Sequence, residues 1–514
     1  MIDELSAALR RDDDRPAILG TTRRGRTVVR ITRGDLAAMA DQYAGGLHMR
    51  GLGCGDTIGV AVRPGARSLA ILLAARRLGL RVAALDPAAG PDVLLARIAL
   101  ADPKLVLADA AAQAAAGWAK PLARKAARID LPSLDRFGPV ATVGGRLPGS
   151  APALRCAGAT APVADYGRSG DAVIVFTSGT TAEPRAVVHT WASLHAGMRA
   201  VTDLVRPLPG APVLGGTMFV LVPALAAGAP VALPARSGQG VARQLRQLHP
   251  QATYLTPPAL RAALTAGASF TGRVWSGSAP VTAALLTKVK QAGATHAYGV
   301  YALTELFPAA VVEAADKAGF DEPGDLIGEP VPGVGVRVDA SGQLYLTGPA
   351  AFDRYLGEPP RRWVATGDVA RLQGSDTGPG QVRVVLAGRS KDMILRAAEN
   401  IYPGLYEPAL HVPGVSLAVL VGGPAADGDE RVAAVVELEP GANRDQVRAA
   451  LLERFDRMGS ARPDVLLFAP VPLSGRSRKP DRQAAARLVA AAPAQSVETI
   501  GGTTTTARDR RSAS

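Results

Sequence analysis

Ala172-Val173-Ile174-Val175-Phe176-Thr177-Ser178-Gly179-Thr180-Thr181-Ala182-Glu183-Pro184-Arg185 joins a short apolar run to a loop of hydroxyls, glycine and one cation. The β-branched run predicts a buried strand that stops abruptly at the loop. Hydroxyls and loop amides can wrap anionic oxygens as a nest while a guanidinium supplies charge, so the segment has the chemistry of a phosphate site. The same alternation extends upstream, where a helical pattern from Ser68 to Leu78 leads into the strand-like Val82-Ala83-Ala84-Leu85. Helical patterns alternating with β-branched runs through most of the first 300 residues predict an α/β architecture.

Composition narrows the class. The chain has 514 residues, 47% hydrophobic and 20% charged, with 56 glycines and 40 prolines. That is enough apolar surface for a sizeable core and excludes wholesale disorder. Aromatics are only 4%, which leaves few platforms for stacking bases and argues against a single-strand-binding protein. A net charge of +13 could attract nucleic acid, acidic membranes or a small polyanion, and its sign does not choose among them. The local cluster Arg23-Arg24-Gly25-Arg26 reads as a solvated surface, and no specific nucleic acid is expected. Cys54 and Cys156 form no metal or disulfide spacing, as expected of a reducing compartment. Met1-Ile2-Asp3-Glu4 carries acid where a secretion signal would carry base and then apolar residues, so a cytoplasmic location is expected.

Residues 207–235 carry no charge and are long enough to span a bilayer. Pro209, Pro212, Pro223, Pro230 and Pro234, with Gly215-Gly216, would interrupt a spanning helix, so buried strands and turns and no membrane span are expected. Gly51-Leu52-Gly53-Cys54-Gly55-Asp56 has no leading strand or following helix and reads as a turn. In the second half, Val334 to Leu346 and Val382 to Leu386 predict strands of a β-rich subdomain. A compact module follows to about Leu488, with a strand at Leu417-Ala418-Val419-Leu420-Val421 and a helix from Arg444 to Phe455. Beyond Ala490, Ser, Thr, Gly and Arg without periodicity predict a disordered tail.

The Thr177 to Arg185 segment resembles the phosphate loop of the acyl-adenylate-forming (AMP-binding) superfamily of acyl-CoA synthetases, luciferases and peptide-synthetase adenylation domains. Further similarities follow in order. Gly277-Ser278-Ala279-Pro280 resembles the adenine-side turn, Tyr301-Ala302-Leu303-Thr304-Glu305 the YGxTE motif, and Thr366-Gly367-Asp368 the TGD ribose motif. Gly388-Arg389-Ser390-Lys391-Asp392 resembles the interdomain hinge, Glu399-Asn400-Ile401-Tyr402-Pro403 follows as in acyl-CoA ligases, and Lys479 stands where the C-terminal catalytic lysine would. The resemblance covers roughly residues 15 to 488. It implies a large N-terminal domain of layered α/β/α subdomains plus a β-rich subdomain, residues 1–386. A small mobile α+β lid domain, 387–490, and the tail, 491–514, would follow.

The resemblance also implies a role for each residue. Thr177, Ser178, Gly179, Thr180, Thr181 and Arg185 would hold the phosphates of ATP, and Gly277, Ala279 and Pro280 would flank its adenine. Tyr301 would stack on the base, and Asp368, an acceptor-only carboxylate, would take the ribose hydroxyls with Arg389 nearby. Glu305 would hold Mg²⁺, a hard cation preferring oxygen, while Thr304 donates to the α-phosphate. Lys479 would bridge the attacking carboxylate and that phosphate as a compact ammonium, and Lys391 would be the hinge.

Several positions depart from the family pattern. Ala182 and Ala186 replace glycines, Arg185 replaces Lys, and Ala302 replaces the Gly of YGxTE, with Tyr298-Gly299 one turn upstream as an alternative. Trp191 stands where His is frequent, and Ala398 where Gly precedes Glu-Asn. No FDxS-like Asp is present to hold an amino-acid ammonium. The 207–235 stretch, with Met218 and Phe219 as wall residues, therefore predicts a small-molecule carboxylic acid with an apolar acyl or aryl group. The implied activity is that of an ATP-dependent acid–thiol ligase with CoA as co-substrate, acting in fatty acid metabolism. Alternatives are a β-lactone synthetase, an acyl-AMP ligase loading an acyl-carrier protein, and a non-catalytic nucleotide-binding relative.

Overall fold

The computed structural model describes residues 1–11, 13–22, 26–86, 91–117, 119–120, 136, 138–154, 170–177, 185–374, 382–396, 399–424, 430–475, 478–493 and 496–500. Among them a seven-stranded and a thirteen-stranded sheet build a large N-terminal domain, and a four-stranded sheet centres a smaller C-terminal one. The seven-stranded sheet runs Arg354–Tyr355, Ala186–Thr190, Asp171–Phe176, Arg81–Ala84, Thr57–Ala61, Leu105–Asp109, Val140–Val143. From Asp171–Phe176 onward neighbouring strands are parallel, while the first three are antiparallel neighbours.

Strand alternation explains the layering. Leu105 and Leu107 enter one core with Leu36, Leu69 and Leu221, whereas Val106 and Ala108 face Leu94 and Ile98 on the other side. Strands buried on both faces need near-continuous apolar sequence, which Leu105–Asp109 has. The first core also takes Val213, Val231 and Ala252 from the thirteen-stranded sheet. The helices Arg33–His48, Ala66–Leu78, Trp191–Val205 and Met218–Ala226 thus lie between the sheets, and Gly238–Leu248, Pro257–Thr265 and Ala283–Gln291 cover the far face. Full burial of each Leu here contributes roughly 1.5–3 kcal/mol.

The thirteen-stranded sheet changes character along its width. Ala252–Tyr254, Arg273–Gly277 and His296–Tyr301 are parallel. Ala310–Glu313, Asp325–Pro330, Val382–Arg389, Val364–Gly374, Gln343–Thr347 and Gly335–Val338 then continue it antiparallel. This is the expected β-rich region, and its strands at 335–338, 343–347 and 382–389 fall where the periodicity places them.

Two expectations are corrected. The 207–235 stretch holds more than strands and turns: beside the short strands Val213–Leu214 and Val231–Ala232 it forms the helix Met218–Ala226, with Pro223 inside. The missing Pro N–H costs one intrahelical bond, but Leu221, Val222, Ala224 and Leu225 are buried in the central core, and that burial outweighs it. Among the described residues no helix is long and apolar enough to cross a membrane. The tail expected from Ala491 onward contributes the strand Val497–Thr499, paired antiparallel with Val465–Phe468. Glu498 fixes it by accepting from Arg444 (2.7 Å) and Arg448 (2.6 Å); a three-residue strand leaves almost no periodic signal. Residues 501–514 lie outside the described residues, as does Cys156.

The C-terminal sheet packs Val436, Leu451 and Phe455 on one face and Val435, Leu467 and Val489 on the other. Its helix Arg444–Phe455 starts at Asn443, whose side chain accepts from the Asp445 and Gln446 amides. The turn Ser390–Asp392 connects the last strand of the large sheet to this domain. Backbones meet there closely: a Cβ on Gly404 would lie 2.6 Å from the Ala387 carbonyl and 2.9 Å from the Gly388 Cα, so only glycine fits.

Candidate active site

Asp171–Phe176 and Ala186–Thr190 pair as a hairpin, and at its tip the Thr177 amide donates to the Arg185 carbonyl at 3.0 Å. The hairpin therefore holds both ends of the loop together. Ser178, Gly179, Thr180 and Thr181 lie outside the described residues. On the far side of Ala186–Thr190, the two-residue strand Arg354–Tyr355 pairs antiparallel, with Tyr355 opposite Val187. This puts the Tyr355 ring 5.3 Å from the Arg185 guanidinium and 5.4 Å from that of Arg361. The Tyr355 hydroxyl donates to Glu305 Oε1 at 2.9 Å. Burial and the neighbouring Glu305 carboxylate push this phenol up to about 12, against Arg185, so it stays a donor at neutral pH.

Glu305 follows the strand His296–Tyr301, whose neighbour Arg273–Gly277 pairs Gly277 with Val300. A Cβ on Gly277 would stand 2.8 Å from the Val300 carbonyl, so the turn through Ser278 (φ +69), Ala279 and Pro280 closes tightly beside this strand. The Tyr254 hydroxyl lies 2.9 Å from Ser278 Oγ and fixes the turn. Tyr298 stacks on Trp275 with ring centroids 4.2 Å apart, whereas Tyr301 donates to Asp368 Oδ2. Of the two tyrosines left open by the sequence, Tyr301 is the one in the cluster.

Asp368 is 3% exposed and lies opposite Arg389 across neighbouring antiparallel strands. Gly367 at φ +74 turns the backbone so that the Asp368 amide reaches Thr366 Oγ1 at 3.0 Å. Arg389 Nε donates to Asp368 Oδ1 at 2.9 Å. Each carboxylate oxygen carries a second lone pair, so two ribose hydroxyls remain chemically compatible with this site. Burial, with the Asp368 charge next, raises the Tyr301 phenol well above its ordinary value.

Lys479 belongs to the C-terminal segment. It sits on a two-residue strand paired with Leu473–Ser474, within electrostatic reach of Asp368, Glu305, Arg389 and Lys391. Burial and the Arg389 charge lower its pKa, while Asp368 and Glu305 oppose. Crowded cations facing two carboxylates suit an anion that several cations share. Lys391 is exposed on the connecting turn. Arg482, three residues past Lys479, is no solvated cation: it forms two bonds to the Glu407 carboxylate and one to Asp392 Oδ2 at 3.2 Å. The lysine segment and the connecting turn are thereby tied together.

His189 is a further residue that the motifs did not reveal. It is 2% exposed, donates through Nε2 to the Thr304 carbonyl at 2.7 Å, and has Nδ1 3.2 Å from Ser193 Oγ. It anchors the Thr304-Glu305 backbone, and the available signal was a lone imidazole in an otherwise apolar strand. Trp191, at the position where His is frequent, is core at 4% exposure. Phe219 packs on Phe307 with ring centroids 3.4 Å apart.

Burial holds His189 and His411 below the ordinary imidazole value. A pKa depressed by folding gives stability that is present above the unfolded value and lost as pH falls toward the folded one. We expect stability to decline as pH drops below about 6.5, and His189→Gln, which keeps a donor, to flatten that decline. Chemical-denaturation midpoints between pH 7.5 and 5 measure it; an unchanged slope would show that His189 does not contribute.

Among the described residues no group of three His, Cys, Asp or Glu side chains could hold a metal unaided. One carboxylate sharing Mg²⁺ with nucleotide phosphates needs no such group, and Glu305 fits that requirement.

The structure thus gathers a buried carboxylate paired with Tyr301 and Arg389, a hairpin whose loop ends are joined by a hydrogen bond, and a lysine from the C-terminal segment. The chain belongs to the AMP-binding enzyme family, whose model matches residues 5–356. It is 27% identical over 309 residues to a feruloyl-CoA synthase of Amycolatopsis sp, covering 53% of this chain and 60% of the relative. It is 29% identical over 309 residues to the fatty acid–[acyl-carrier-protein] ligase ScoC of Streptomyces coeruleorubidus, covering 52% and 57%. The match thus spans less than two thirds of the length of these relatives. In fold it is similar to the anthranilate CoA ligase AuaEII in complex with anthranoyl-AMP, with TM-score 0.76 at 18% identity over 96% of this chain and 98% of that one.

Proposed function

We propose that the protein activates a carboxylic acid with ATP and passes the acyl group to a thiol, with CoA as the acceptor. The observation that carries this reading is the Asp368 carboxylate held by Tyr301 and Arg389 just before the connecting turn, with the charges of Asp368, Glu305 and Arg389 acting on Lys479 of the C-terminal domain. In the first step a carboxylate oxygen bonds to the α-phosphorus and the bond to the bridging oxygen breaks, releasing pyrophosphate. Negative charge gathers at one phosphorus, and pre-placed cations are worth most there. Lys479 spans the incoming carboxylate and the α-phosphate; Thr304 donates to the same phosphate. Thr177, the loop to Thr181, and Arg185 hold the leaving phosphates. Asp368 and Arg389 hold the ribose, and Tyr301 with Gly277, Ala279 and Pro280 borders the base. Mg²⁺ on Glu305 would neutralise phosphate charge.

In the second step the thiol sulfur bonds to the acyl carbon, AMP leaves and the thiol proton is released. Lys479 must then withdraw, and rotation about Lys391 supplies that motion. The substrate reading is an apolar acyl or aryl acid, supported by the uncharged Met218–Ala226 helix and Phe219 against Phe307. An acyl-carrier protein is the second acceptor, favoured by the likeness to ScoC.

The test is AMP formation from ATP, Mg²⁺ and a panel of carboxylic acids, with and without CoA. Turnover that requires CoA supports the reading; multiple turnovers without any thiol would refute thiol transfer. Lys391→Pro is expected to slow the CoA-dependent step at least tenfold more than adenylate formation. Rapid-quench measurement of acyl-AMP and acyl-CoA separates them, and equal loss of both would reject the hinge.

A further inference from the structure

We propose that Tyr355 is a positioning residue that couples the Glu305 carboxylate to Arg185 at the exit of the phosphate loop. The inference rests on the reading of Glu305 as a Mg²⁺ ligand and of Arg185 as a phosphate cation, and it extends that reading to a residue outside every motif. Three contacts meet on one side chain. Its hydroxyl donates to Glu305 Oε1 at 2.9 Å. Its ring lies 5.3 Å from the Arg185 guanidinium, within the range of a cation–π contact. Its backbone is fixed against the same strand that carries Arg185 into the sheet, with Leu356 N donating to the Ala186 carbonyl at 2.8 Å.

The Glu305 side is braced in the same way. The Phe352 amide donates to the Glu305 carbonyl at 2.7 Å, and Phe352 meets Tyr355 edge-on with centroids 4.8 Å apart. Tyr355 is 8% exposed, so its rotamer is set by packing and the hydroxyl has little freedom to point elsewhere. A carboxylate held by a fixed donor presents its remaining lone pairs in one direction, and such outer partners are typically worth about 10–100-fold in metal affinity. The hydroxyl therefore acts on the Mg²⁺-dependent part of ATP binding. The ring, through Arg185, acts on the part that needs no metal.

Calorimetric titration of the full chain with ATP, in EDTA and across a Mg²⁺ series, tests both halves. Tyr355→Phe keeps the ring, the Phe352 contact and the strand pair, so its unfolding temperature is expected to match wild type. Its ATP affinity in EDTA is expected to be unchanged, and its gain in affinity on adding Mg²⁺ to fall about tenfold. The double variant Tyr355→Phe with Glu305→Gln is expected to bind no more weakly than Glu305→Gln alone, since the hydroxyl acts only through that carboxylate. Tyr355→Leu is expected to lose affinity in EDTA as well.

Three results would overturn the proposal. A normal Mg²⁺ gain in Tyr355→Phe, with that gain lost in Glu305→Gln, rejects the positioning role and leaves the Glu305 reading standing. A normal Mg²⁺ gain in Glu305→Gln rejects the Glu305 reading itself. Equal loss with and without Mg²⁺ in Tyr355→Phe reduces the residue to a general packing role.

Discussion

Lys479→Ala is expected to lower acid-dependent pyrophosphate release by about 100- to 1,000-fold, the usual effect of removing one group aimed at developing charge. The folded protein should lose no stability. Lys479 is half-buried, with its pKa lowered first by burial and then by the Arg389 charge. Its ammonium is thus less favourable in the free enzyme than in water, with Asp368 and Glu305 offsetting part of that cost, and it gains most when phosphate charge arrives. Residues kept for function against local electrostatics behave this way. Unfolding midpoints and pyrophosphate release measured on the same preparations check both halves. A variant both inactive and markedly destabilised would contradict the account, because Lys479 would then be structural.

Asp368→Ala is expected to weaken ATP binding more than 100-fold and to destabilise the N-terminal domain as well. The carboxylate accepts from half-buried Tyr301 and from Arg389, whose side chain is 42% exposed. Arg389 can turn to water, so its loss of partner costs little. The Tyr301 hydroxyl is desolvated, and a desolvated donor left without its acceptor costs about 1–3 kcal/mol. Asp368→Asn keeps an acceptor for Tyr301 and should recover most of the stability but not the nucleotide affinity. Calorimetric ATP titration and denaturation of the three proteins distinguish these effects; near-wild-type ATP affinity in Asp368→Ala would remove Asp368 from the site.

Much of this was readable from residues alone, and what was not has identifiable physical causes. The Asp171–Phe176 strand, the helix Ala66–Leu78 and the helix Arg444–Phe455 carry their own periodicity. Of the motif residues, Asp368 and Arg389 pair directly, and the charges of Asp368, Glu305 and Arg389 act on Lys479. The helix Met218–Ala226 escaped because Pro223 reads as a breaker, and tertiary burial overrode that local cost. Tyr355 and His189 escaped for another reason. Their functional contacts join segments 50 and 115 residues apart in the chain, and neither stands in a pattern of spacing. Arg482, one of several neighbouring cations in sequence, is distinguished only by Glu407 and Asp392 folding back onto it.

The most direct test is acid-dependent exchange of labelled pyrophosphate into ATP, which reports reversible adenylate formation without regard to the acceptor. Across a panel of apolar and aryl carboxylic acids, we expect exchange that requires both acid and Mg²⁺ and disappears in Lys479→Ala. Exchange that persists undiminished in Lys479→Ala, or ATP binding with no exchange for any acid while ADP and phosphate accumulate, would contradict it.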